Sequence, residues 1–255
     1  LKEAKTPRDV VSITAGIFDP LGIVAPLVLH GRRWTQLAMR GKWGWDIPLK
    51  PDIKKGFNIW VKSVKHLGKF CIPRCWNTEL TIDSERQLHC FTDASQIGYG
   101  AVCYKRVIPV GPKPVPRVDF IIGKGHVVPL DSSKASHHNL TPRLELVAGV
   151  KGVDIVKAVK KSMKVTFDKT FMWSDSEIVL KQINDRTSRF APFHKNRLSA
   201  IHESTDPSMW FHVDGKLNPA DYCSRGLKID DEEEWKIYHE AVSYTHLRAH
   251  ETLIY

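Results

Sequence analysis

Four acidic residues stand where a fold can gather carboxylates. Asp93 closes the apolar run "CFTD" and Asp175 closes "FMWSD"; Glu145 belongs to "TPRLEL" and Asp221 to the polar turn "NPADYCSRG". Strand ends and helix starts can converge at one end of a sheet. A hard, oxygen-preferring cation such as Mg²⁺ there offsets the repulsion among like charges. Two such ions about 4 Å apart activate a water and stabilise the leaving oxygen of a phosphodiester. Taken singly, each of these residues is more often a turn or helix cap. The conjunction of four in one topology favours a shared site for metal-dependent phosphodiester hydrolysis.

The elements that would position them are legible from periodicity. "RQLHCFTD" alternates apolar and polar and ends at Asp93, "AVCYKRV" forms a second strand, and "VDFIIGKGHVV" a third after the Pro-rich "IPVGPKPVP". Gly98 and Gly100 are expected to shape the hairpin between the first two strands. The segment from "NLTPRLELVAG" to "VKKSM" reads as a helix with Thr141 as N-cap, Pro142 at its first position and Glu145 in its first turn. A strand over 170–174 leads to Asp175 and a helix, and a last strand near 209–213 leads to Asp221. Strands first and then strand–helix alternation predict an α/β mixed sheet. The acidic "DDEEEW" at 230–235 suits a helix start.

Before residue 81 the texture is helical and rich in Trp (Trp34, Trp43, Trp45, Trp60, Trp76). Ile53, Phe57, Trp60 and Val64 recur at three- and four-residue steps, so these aromatics read as core before nucleic-acid platform. The expected domains are a helical segment over 1–80, an α/β domain over 81–228 and an acidic helix with a foreign tail over 229–255. The chain starts without Met, which suggests a piece cut from something longer.

Thirty-eight Lys plus Arg against 28 Asp plus Glu give a formal charge of +10, which favours a polyanionic partner. The cations cluster in "VKAVKKSMK" (156–164) and in "RTSRFAPFHKNR" (186–197). The second cluster interleaves Phe190 and Phe193 with Arg186, Arg189, Lys195 and Arg197, and is the better phosphate-pairing candidate. No run reaches the roughly 18 apolar residues of a membrane helix, because "ITAGIFDPLGIVAPLVLH" is broken by Asp19, Pro20, Gly22 and Pro26. The five cysteines contain no CxxC pair; Cys71 and Cys75 make at most half a zinc site, and reduced intracellular thiols are the simplest reading.

"FTDAS", "TPRLEL", "WSDSEIVL" and "NPADYCSRG" in this order resemble the ribonuclease H region of the BEL/Pao-type LTR retrotransposon polyprotein. The leading "TPRDVVSITAGIFDPLGIVAPLVLHGRRWTQ", with "GWD" and "IPRCW", resembles the segment that precedes it, after the polymerase palm. Sequence families label that region Pao retrotransposon peptidase. The likeness spans roughly residues 7–227. It implies a ribonuclease H-like mixed five-stranded sheet with flanking helices, preceded by a smaller helical segment of thumb or connection type. It implies Asp93, Glu145, Asp175 and Asp221 as ligands of two Mg²⁺ ions, for which Mn²⁺ substitutes, with Asp93 bridging both. The implied reaction is cleavage of the RNA strand of an RNA/DNA hybrid during reverse transcription, leaving a 3′-hydroxyl and a 5′-phosphate. Implied partners are the hybrid and the polymerase portion of the same polyprotein, inside cytoplasmic particles, with no membrane and no small-molecule ligand. Many members carry a mobile His before the last Asp; His212, nine residues before Asp221 but inside the strand-like "WFHVDG", is the candidate. His137 and His138 are adjacent loop histidines, more often solvent-exposed than ligands.

Two other readings stay open. An aspartic peptidase would need paired Asp-Thr/Ser-Gly loops, and "TDAS" and "WSDSE" lack the glycine. A connection-like domain would bind hybrid without cutting it. No "YxDD"-type pair is present, so polymerase chemistry lies outside this chain.

Overall fold

A computed structural model of the chain describes residues 3–40, 44–69, 84–111, 115–129, 137–228 and 231–240. Its centre is β1 (Glu85–Ala94), which pairs antiparallel with β2 (Gly98–Ile108), itself antiparallel to β3 (Arg117–Val127). On its other side β1 pairs parallel with β4 (Lys169–Ser174), and β4 pairs parallel with β5 (Trp210–His212). The order β3-β2-β1-β4-β5 is the expected mixed five-stranded sheet.

A strand buried on both faces needs apolar residues at both parities, and β1 has them. Leu88 and Cys90 face a core built with α4 (His137–Ser162), α5 (Glu177–Asn184) and α6 (Pro192–His202), where Leu146, Val153, Ile183 and Ile201 are buried. Phe91 faces the opposite core. There Leu27 of α2 (Ala25–Met39) and Phe57 and Trp60 of α3 (Pro51–Val64) join Tyr104, Trp173 and residues from the C-terminal helices. Those helices are α7 (Asp221–Arg225) and α8 (Glu232–Glu240), and Val10 of α1 (Pro7–Ala15) belongs to the same cluster. The "DDEEEW" segment therefore starts a helix whose Trp235 and Tyr238 are fully buried. Residues 243–255 lie outside the described residues.

Three expectations are refined. Helix α4 begins at His137 with Pro142 inside it. Proline's fixed φ is already helical and its ring removes one ladder bond, so it sits within this helix without ending it. Glu145 is consequently about two turns into the helix, beyond its first turn. The hairpin closes on Gly98, whose carbonyl accepts from the backbone N–H and side chain of Ser95, and neither Gly98 nor Gly100 has a positive φ. They are strand residues, and what they permit is close packing. A Cβ on Gly100 would overlap the Lys124 carbonyl oxygen and lie 2.8 Å from Cys223 Cβ; one on Gly98 would lie 2.9 Å from the Ser224 carbonyl oxygen. Bare backbone lets α7 rest directly on the sheet. Of the tryptophans, Trp60 is buried with its indole N–H on the Leu27 carbonyl (3.0 Å), Trp34 is half-buried and Trp45 is exposed. Trp43, Trp76, Cys71 and Cys75 lie outside the described residues.

Candidate active site

The parallel register places Thr92 beside Ser174, so the two next residues, Asp93 and Asp175, leave adjacent strands at the same level. Asp93 is 4% exposed and accepts a hydrogen bond from the hydroxyl of Ser224, which is fully buried on α7. The same hydroxyl lies 3.0 Å from the Asp221 carbonyl oxygen, tying the turn of α7 to the end of β1. Below it, Asn218 donates to the Thr92 carbonyl (3.1 Å) and accepts from the Ala220 amide (3.1 Å), fixing the turn that delivers Asp221.

Glu145 reaches the site because α4 lies close against β1. A Cβ on Gly152 would stand 2.5 Å from Thr92 Cγ2, and Cys90 donates to the Gly152 carbonyl at 3.7 Å. Glu145 accepts from the Ser176 hydroxyl, which also caps α5 at the Val179 amide (3.3 Å). Asp221 pairs with Arg225 at 2.6 Å.

The carboxylates act on one another electrostatically. Burial pushes the Asp93 carboxyl up to about 7, with Asp175 and Asp221 adding to the shift and Ser224 and Arg225 opposing it. Burial also raises Glu145, aided by Asp175 and opposed by Ser176. Asp221 is raised by burial, against the pull of Arg225 and with help from Asp175. Asp175 is thus the residue whose charge reaches all three others. Its Oδ1 is buried and has no hydrogen-bond partner.

An all-oxygen donor set with an orphaned buried carboxylate oxygen suits a hard divalent cation. The set is not drawn into a closed cage: among the described residues, no group of three or more His, Cys, Asp or Glu is arranged to hold an ion. Three of the four carboxylates instead direct oxygens to Ser224, Ser176 and Arg225.

His212 is exposed at the end of β5, in register with Ser174, the residue before Asp175, and it lines an open groove with Leu180, Lys181 and Asn184 of α5. Arg186 pairs with Asp206 at 3.6 Å, and Arg189 and Lys195 are exposed. Arg197 lies over the Phe193 ring at 3.5 Å. His137 and His138 open α4, and their side chains lie outside the described residues. Sequence reasoning overlooked Ser176, Asn218, Ser224 and Arg225. Ser176 follows Asp175 as a helix cap and Ser224 stands one turn after Asp221, so both carried a local signal.

The family model described as Pao retrotransposon-like RNaseH-like domain matches residues 6–176. Among curated protein sequences none matches. Similar solved structures include RNase H1 from the halophilic archaeon Halobacterium salinarum NRC-1, at 14% identity over 53% of this chain and 90% of that one, TM-score 0.32. LC11-RNase H1 in complex with RNA/DNA hybrid is 11% identical over 54% and 91%, TM-score 0.30. The foamy viral protease-reverse transcriptase in complex with dsDNA is 15% identical over 84% of this chain and 40% of that one, TM-score 0.26.

Proposed function

This chain belongs to the Pao retrotransposon-like RNaseH-like domain family, and from that membership we propose that it hydrolyses the RNA strand of RNA/DNA hybrids during reverse transcription. The observation that carries the reading is the buried, unpartnered oxygen of Asp175 beside three carboxylates whose electrostatics it perturbs. Asp93, Glu145, Asp175 and Asp221 would hold Mg²⁺ or Mn²⁺. When bound, such ions neutralise the carboxylates and supply an activated water for attack on the phosphodiester.

The chain's own residues prepare that site. Ser224 orients Asp93, Ser176 orients Glu145, and Asn218 holds the turn before Asp221. Arg186, Arg189, Lys195 and Arg197 are the proposed phosphate contacts, read by backbone shape without sequence preference. His212 ends β5 in register with Ser174, one residue before Asp175, and is the proposed mobile histidine of the site. The hybrid and the polymerase portion of the same polyprotein are the proposed partners, in cytoplasmic particles. The helical segment over 1–80 would position the hybrid.

The test is cleavage of a labelled RNA/DNA hybrid by the purified chain in Mg²⁺ and in Mn²⁺. Products with 3′-hydroxyl and 5′-phosphate ends are expected, abolished by chelation and by Asp93→Asn in folded protein. A folded parent that cuts in neither metal would sink the reading. Hybrid retention without cutting would identify a connection-like binding domain, and metal-independent cleavage of a polyprotein peptide would identify a peptidase.

A further inference from the structure

Phe193 is the second residue of α6, and Arg197 follows one turn later with its guanidinium over the Phe193 ring at 3.5 Å and Nη1 donating to the Phe193 carbonyl (2.9 Å). From α4, Arg143 places a second guanidinium over the same ring, 4.1 Å from its centroid. Among the described residues neither guanidinium has a carboxylate partner. Two like charges on one ring repel, and burial together with the Arg143 charge lowers the pKa of Arg197. An arrangement of this kind is costly until an anion meets it.

Its position is informative. Arg143 precedes Glu145 by two residues, and Tyr99, whose electrostatic influence reaches Arg197, is the cross-strand partner of Ala94, next to Asp93. The pair therefore lies at the carboxylate end of the sheet. The cationic surface continues past Tyr99, which stacks on His126 (5.4 Å). Arg32 and Lys124, both of which act on His126, donate to the carbonyls of Gly125 and Pro20 and share a small cleft with Asp19.

We propose that Arg143 and Arg197, both set over the Phe193 ring, clamp one backbone phosphodiester of the bound hybrid beside the carboxylate cluster. A planar guanidinium presents its N–H donors in a fork that matches phosphate oxygens two at a time, and stacking on the ring fixes the fork before the anion arrives. The clamp rests on the nuclease reading for its substrate and adds Arg143, from α4, to the cations of the 186–197 segment. It explains why these cations share an aromatic ring while the exposed Arg186 takes an acidic partner.

The test uses the full chain and a labelled hybrid without divalent metal, so that nothing is cut. Arg143→Ala with Arg197→Ala is expected to weaken binding roughly tenfold or more and to lower the salt slope by about one. Methylphosphonates placed singly along the RNA or the DNA strand assign the phosphate. The assigned position is one whose neutralisation weakens the parent but not the double variant. A double variant with the parent's melting temperature, affinity and salt slope overturns the clamp and leaves the ring stack as packing between α4 and α6. Should the alanine pair not fold, Arg143→Lys with Arg197→Lys keeps both charges and loses the forks; several-fold weaker binding supports the clamp and parental affinity overturns it. Asp93→Asn separates the two readings. Persistent cutting by that variant sinks the nuclease site and leaves the clamp standing, whereas a dead Asp93→Asn beside an alanine pair that binds like the parent sinks the clamp alone.

Discussion

Asp93 is a carboxyl group held where its charge is least welcome, at 4% exposure with Asp175 and Asp221 nearby. Its folded pKa of about 7 stands above the ordinary 3.8, so the metal-free folded state binds the proton more tightly than the unfolded chain does. Stability from this group is full below about 3.8 and is lost as pH rises through about 7. Melting of the metal-free protein should therefore fall from pH 5 to pH 8. Asp93→Asn should flatten that fall, and Mg²⁺ should restore stability at pH 8 by binding only the folded site. A pH-independent melting temperature in the parent would count against the buried, charge-crowded geometry. Ser224→Ala tests the neighbour. It removes the hydroxyl that serves Asp93, for a cost of about 1–3 kcal/mol by denaturant titration. Mn²⁺ binding, followed by electron paramagnetic resonance, should weaken in the same variant while the far-ultraviolet spectrum stays native.

At the scale of elements, the site depends on how closely helices approach β1. Gly152 brings α4, and with it Glu145, against Thr92; Gly98 and Gly100 bring α7, and with it Asp221 and Ser224, onto the hairpin. Gly100→Ala should cost about 1–3 kcal/mol, as expected for overpacking, because the added methyl group meets Lys124 backbone and Cys223. Gly111→Ala is the control, since a Cβ there meets nothing within 4 Å. Thermal melts and cleavage assays of the two variants should separate: Gly100→Ala shifts α7 and slows cleavage, and Gly111→Ala does neither. The glycines were visible in "SQIGYGAVCY", yet their purpose was not. A glycine needed for a turn and one needed for close approach look alike until the opposing backbone is in view.

For the molecule as a whole, one hydrophobic cluster joins Val10, Leu27, Phe57 and Trp60 to Phe91, Tyr104, Trp173 and Tyr238. The Tyr104 hydroxyl donates to the Tyr238 carbonyl at 2.6 Å, and the Tyr238 hydroxyl donates to the Gly22 carbonyl at 2.7 Å. We expect the helical segment and the sheet to unfold in one calorimetric transition, and removal of residues 1–69 to expose that face and bind a hydrophobic dye. Two separated transitions would show the segment to be autonomous. The sequence by itself determined the apolar runs that become strands and the mixed sheet, and it placed Asp93 and Asp175 at strand ends, because side-chain periodicity and strand-end placement are local properties. It carried the basic character of 186–197 for the same reason. Only the tertiary structure decided that Asp175 would be the shared neighbour and that Ser224 and Ser176 would take up carboxylate oxygens. It alone brought Arg143 to the Phe193 ring and set His212 level with Ser174, one residue before Asp175. Each of these is a meeting between segments far apart in the chain. Strand register, helix approach and burial set such meetings, and no spacing along the sequence encodes them.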